Sequence, residues 1–176
     1  MRRIPFAAPW LVTLLALLAG CGGGKAPEGI EPVRGFQVER YMGKWYEIVR
    51  LDHRFERGME QVTATYTLKD DGTVGVLNRG FRTAKGEWDE ARGKARFVGS
   101  PDVGALEVSF FGPFYGAYNI VDLDPEYRHV MIVGPSRDYL WILSRTPNPP
   151  PQDVDRLIAK AAQLGFDTGA LIRVKH

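Results

Sequence analysis

Between residues 43 and 145 turn-forming residues cut the chain into eight short segments, each the length of a β-strand. They span 43–51, 60–69, 74–81, 87–98, 105–112, 116–123, 128–134 and 138–145. Asp70-Asp71-Gly72 is a strong hairpin signal, and Gly112-Pro113, Asp124-Pro125 and Gly134-Pro135 break the later runs. Val62, Ala64, Tyr66 and Leu68 alternate with threonines and Ala-flanking polar positions, which puts them on one face of a half-buried strand. Consecutive antiparallel strands of this length close most economically as an all-β, eight-stranded up-and-down barrel, because closure removes the exposed edges. A β-sandwich satisfies the same pattern. A barrel of eight strands is just wide enough inside for packed side chains or one small ligand.

After the eighth segment Pro147 to Pro151 stop the sheet. Gln152 to Gly165 reads as one helix, with Asp153 near its start and Val154, Leu157, Ile158, Ala161 and Leu164 at helical spacing. That stripe would be buried by packing the C-terminal helix on the outside of the closed sheet. Residues 170–174 have the pattern of a short ninth strand.

The N-terminus has the layout of a bacterial lipoprotein leader over residues 1–20. Arg2 and Arg3 precede an apolar run from Trp10 to Ala19, which is too short to span a bilayer. Leu18-Ala19-Gly20-Cys21 resembles a lipobox, in which cleavage before the cysteine accompanies acylation of its thiol and amine. Cys21 is thus the expected lipidation site, with several acyl chains giving stable attachment. Gly22, where an aspartate would favour inner-membrane retention, points to the outer membrane and a periplasm-facing protein. Residues 21–35, rich in Gly and Pro, are expected to form a flexible tether ahead of a single domain over 36–176.

The leader holds two arginines and no acid, so of 23 Lys+Arg and 21 Asp+Glu the mature chain keeps 21 of each. No basic surplus remains for nucleic acid. Cys21 is the sole cysteine, which leaves no thiol for a disulfide, a metal or catalysis once it is acylated. His53, His129 and His176 share no metal-ligand spacing, and no cofactor is expected.

Gly43-Lys44-Trp45-Tyr46-Glu47 resembles the Gly-x-Trp opening of the lipocalin family, and Ser144-Arg145 stands where that family has its last-strand arginine. Asp52-His53-Arg54-Phe55-Glu56-Arg57-Gly58, Val62 to Tyr66, Val108 to Gly116 and Arg137 to Pro147 are similar to the bacterial outer-membrane lipocalins, relatives of apolipoprotein D. Asp124-Pro125-Glu126-Tyr127 departs from the family's usual Thr-Asp-Tyr. The resemblance, over roughly residues 36–174, implies a lipocalin barrel, Arg145 stacked on Trp45 at its base beside Gly43, and binding of a fatty acid or lysophospholipid in envelope maintenance.

Carrying the family's orientation onto each strand puts Tyr66, Val76, Asn78, Val108, Phe110, Tyr118, Ile120, Met131, Tyr139, Trp141 and Leu143 on the ligand-binding face, with Ala64, Val74, Leu106 and Val133 beside them. The aliphatic members either line a lipid pocket or simply fill a narrow barrel. Glu47 and Val49 share the face of Trp45, and Glu47 is expected to meet a head group or pair with Arg145. His53, Arg54, Glu56 and Arg57 form either a lipid-facing rim or a solvated loop, and His129 either faces inward or is a satisfied packing residue. Phe111 to Tyr115 form an aromatic tip that contacts a bilayer, contacts a second subunit in a homodimer, or tucks back.

No Gly-x-Ser-x-Gly elbow or Ser-His-Asp spacing is present, so a non-enzymatic role is expected. The competing readings are an enzyme acting on a lipophilic substrate, with Glu47 and His129 as an acid–base pair, and a structural lipoprotein with a vestigial pocket.

Overall fold

The computed structural model describes residues 25–176, so Cys21 and the leader lie outside the described residues. A one-turn helix α1 (Val38–Tyr41) leads into β1 (Gly43–Leu51), β2 (Met59–Leu68), β3 (Val74–Arg82), β4 (Glu87–Phe97), β5 (Ala105–Phe111), β6 (Phe114–Leu123), β7 (His129–Val133) and β8 (Leu140–Ser144). Each strand pairs antiparallel with the next, and β8 pairs with β1 to close the barrel. Helix α2 (Pro151–Gln163) and a short β9 (Leu171–Arg173) follow, β9 pairing with the second half of β1. The barrel and the external helix are as the alternation and the apolar stripe require. The sandwich alternative is thereby excluded.

The turns at 69–73, 98–104 and 124–128 gather at the end where β1 begins, which is the base. The loops at 52–58, 83–86, 112–113 and 134–139 form the other end, the mouth. One apolar cluster fills the base, including Phe36, Tyr41, Trp45, Leu106, Ile120 and Val130. A second lies outside the sheet, where Val154, Leu157 and Ala161 of α2 pack on Val49, Met131, Val133 and Ile142.

Two bulges change which side chains face inward. In β1 the register slips between Glu47 and Val49. The extra residue reverses the alternation, so Val49 joins the outer cluster and Arg50 takes the inward position. In β6 the slip falls between Ile120 and Asp122. Across it Val130 and Ile132 belong to the inner cluster, while Met131 and Val133 lie under α2. Val49 is corrected from lumen to outer face by the β1 bulge. Met131 and Val133 are corrected likewise because β7, buried on both faces, pairs with β8 so that Val130 and Ile132 stand beside Leu143 and Trp141. His129 shares the outer face of Met131. It is buried with Nδ1 4.0 Å from Asp124 and Nε2 3.9 Å from Asp153 of α2, so it forms no pair with Glu47.

The segment expected to be a free tether is packed over part of its length. Ile30 is buried in the outer cluster, and Val33 is tied to the sheet by N–H to Ile120 O at 2.8 Å and by its own carbonyl accepting from Gly104. Composition alone missed this, because three apolar residues among Gly and Pro suffice once a sheet surface is there to receive them.

Candidate functional site

The base is closed by Trp45 and Arg145. Trp45 is fully buried and donates Nε1–H to Tyr41 O at 2.9 Å. The Arg145 guanidinium lies 4.0 Å over its ring and donates to the carbonyls of Arg40, Lys44 and Tyr127. Gly43 has φ +91°, a left-handed backbone that suits glycine, and it lies beside Arg145 Nη1. The cation–π stack closes the floor.

Above this floor lies a cavity of about 870 Å³, open at the mouth and lined mainly by apolar and aromatic side chains. Tyr66, Val76, Asn78, Val108, Phe110, Tyr118, Tyr139, Trp141 and Leu143 all border it. Ile120 does not. It is fully buried in the basal cluster against the chain at Gly104, so it is a floor packing residue and not part of the wall. Ile132 supplies the β7 wall instead of Met131.

A polar cluster crosses one wall, and most of it was not expected. Arg50 is buried and donates to Glu47 Oε1 at 2.8 Å and to Glu56 O at 2.9 Å. Glu47 therefore pairs with Arg50, not with Arg145, because the bulge puts Arg50 beside it. The loop after β1 folds into the mouth instead of standing in solvent. His53 is buried there, with Nε2 3.0 Å from Glu56 Oε2, although off the line of a hydrogen bond, and Trp141 Nε1 donates to the same carboxylate at 3.1 Å. Burial and the nearby Glu56 push the Glu47 carboxyl well above its ordinary range, which favours its neutral form. Burial pushes Glu56 the same way, but the close approach of His53, the Trp141 N–H and the Arg50 charge outweigh it and hold Glu56 low. The cluster thus holds one ionised acid, one acid biased toward neutral and one arginine. The 52–58 segment gave no periodic signal by which its inward turn could be read.

The mouth is rimmed by exposed aromatics. Phe111 is 79 % exposed, Phe114 78 % and Phe55 58 %, and all three border the cavity together with Arg54, Arg79 and Arg82. Of the alternatives for the 111–115 tip, tucking back is the one that this geometry removes. Among the described residues no group of acidic, histidine or cysteine side chains is arranged to hold a metal.

Residues 36–176 match the lipocalin-like domain family. The chain is 49 % identical to the outer membrane lipoprotein Blc of Escherichia coli (strain K12), over all of this chain and 98 % of that protein. It is 37 % identical to apolipoprotein D of Macaca fascicularis, over 84 % of this chain and 85 % of that one. Insecticyanin from the tobacco hornworm Manduca sexta has the same fold, with a TM-score of 0.67 at 19 % identity over 88 % of this chain and 87 % of that one.

Proposed function

The chain belongs to the lipocalin family, and from that premise we propose that it is a lipid-anchored protein of the outer membrane that binds single-chain lipids, fatty acids or lysophospholipids, in its lumen. The observation that carries this reading is the open apolar cavity, whose volume suits one ligand of that size. Nonpolar wall residues receive the acyl chain, and the polar head stays at the mouth near Arg54, Arg79 and Arg82. The role is storage or transport, not catalysis.

The path of the N-terminal segment supports an attachment that presents the mouth to a bilayer. Arg137, in the mouth loop between β7 and β8, donates to Glu28 O at 3.0 Å, while Val33 lies near the base against Gly104. The chain therefore reaches the barrel at its open end and runs along the outside toward the floor. With the acyl anchor at Cys21, seven residues before Glu28, the open end and its exposed phenylalanines face the lipid surface. The outer-membrane placement follows the names of the full-length bacterial relatives.

Filling the lumen tests the reading. Ala64 lines the cavity on β2, opposite Asn78 of β3, and Ala64→Trp would put an indole into the space an acyl chain needs. Affinity for hexadecanoic acid is expected to fall at least tenfold, measured by calorimetry, with the thermal transition retained. Unchanged affinity in the folded variant would place the lipid elsewhere.

The rim makes a separate prediction. Phe111→Ser with Phe114→Ser should slow lipid uptake from vesicles several-fold, while affinity for the same lipid delivered in solution stays as in the parent. Equal uptake rates would remove the rim from the transfer step.

A further inference from the structure

Three tyrosines meet at the floor of the lumen. The Tyr118 hydroxyl lies 2.6 Å from that of Tyr41 and 2.7 Å from that of Tyr66, and among the described residues these hydroxyls make no other hydrogen bond. All three side chains border the cavity. Three hydroxyls carry three hydrogens, and the two contacts use two of them. Whichever hydroxyl donates in each contact, one O–H is left without a protein acceptor, and it belongs to a group facing the lumen.

The surroundings make that donor neutral and persistent. Burial raises all three phenols far above their ordinary range, so none of them ionises in the lumen. The side chains packed around them include Phe36, Val74, Val76, Ala95, Leu106 and Leu143, all apolar. Arg145 is engaged by the Trp45 ring and three backbone carbonyls, and Glu47 is paired with Arg50 in the polar wall cluster. Besides the polar wall of Glu47, Asn78 and the loop after β1, the lumen therefore has polar groups at its two ends: arginines at the mouth, and an uncharged donor at the floor.

A single-chain lipid with its head at the mouth brings the far end of its chain to this floor. A methyl terminus leaves the tyrosine O–H unmatched in an apolar space. An oxygen there accepts the bond. We propose that the Tyr41–Tyr118–Tyr66 floor is a specificity subsite for single-chain lipids that carry an oxygen function, hydroxyl or carbonyl, at the chain end remote from the head. The inference rests on the lipid-binding reading and narrows it from acyl chains in general to oxygenated ones.

The test compares terminally hydroxylated fatty acids with their unsubstituted parents across a series of chain lengths, by calorimetric titration of the parent protein and two variants. At the length that reaches the floor, the hydroxylated acid should bind on the order of tenfold more tightly, as expected for meeting one otherwise unmet buried donor. Replacing all three tyrosines by phenylalanine should abolish that preference while the plain acids bind as before. Tyr118→Phe alone breaks both contacts and frees more donors, so it should keep the preference. If the triple variant does not fold, the chain-length series in the parent decides, since the preference must peak at the one length that reaches the floor and be absent for shorter chains. A parent protein that binds both series equally at every length, a preference that survives in the triple variant, or one lost in Tyr118→Phe would overturn the subsite and leave the lipid reading standing. Binding of neither series overturns both.

Discussion

Trp45→Ala should cost about 3–5 kcal/mol of stability, the range for deleting a fully buried tryptophan side chain. The indole is fully buried at the floor, 4.9 Å from the Tyr41 ring, and Arg145 stacks on its outer face. Its loss removes apolar area, opens a void at the closed end of the barrel and orphans a guanidinium held by three carbonyls. For a domain of this length the transition should fall by roughly 6–20 °C. The stack itself is isolated by a double-mutant cycle with Arg145→Ala. A coupling of about 0.5–2 kcal/mol is expected for the cation–π contact, and additive losses would show that the two side chains do not support one another.

Arg50→Leu should be about as damaging, at roughly 3–5 kcal/mol, because it removes a buried guanidinium whose charge helps hold Glu56 ionised and whose N–H groups satisfy Glu47 and two loop carbonyls. Arg50 also donates to the carbonyls of Glu56 and Met59, which fix the loop after β1 across the mouth. The loss should depend on pH, and the sign follows from the two acids. Burial and Glu56 raise Glu47, so its ionisation lowers stability as pH climbs, and Arg50 limits that penalty. Glu56 is held low despite burial by His53, Trp141 and Arg50, so its contribution is present above the ordinary carboxyl range and is lost as pH falls. Removing Arg50 worsens both effects at higher pH. The deficit of Arg50→Leu should therefore be larger near pH 7 than near pH 4, as measured by urea unfolding of both proteins. An equal deficit at the two values would mean that Arg50 acts only through packing.

These two residues also mark the limit of what the sequence discloses. Trp45 and Arg145 are legible because each sits in a short motif, one hundred residues apart, whose family geometry brings them together. On β3 and β8, which pair with β4 and β7 without a slip, the family's orientation carried along at period two reaches Val76, Asn78, Trp141 and Leu143, and Tyr139 just before β8, all of which border the cavity. Arg50 is hidden by the bulge at Glu47, which inserts a residue that no alternation reveals. Met131 is misplaced because β7, His129–Val133, is buried on both faces and shows no polar alternation to fix its phase, which only its pairing with β8 supplies. His53 and Glu56 lie in a loop whose inward fold is set by Arg50 and Trp141, contacts that exist only in three dimensions. Tyr41 was missed for a different reason. It precedes the first strand, on the one-turn helix that plugs the base, where strand periodicity has not begun.

The central claim, that this lumen holds a single-chain lipid, is tested most directly by native mass spectrometry of the full-length protein extracted from its own membrane. The account predicts a barrel carrying one acyl lipid, with Cys21 acylated on the same molecule, and an Ala64→Trp variant from which the lipid is absent. A parent protein that emerges empty, and that then takes up neither fatty acid nor lysophospholipid, would contradict it.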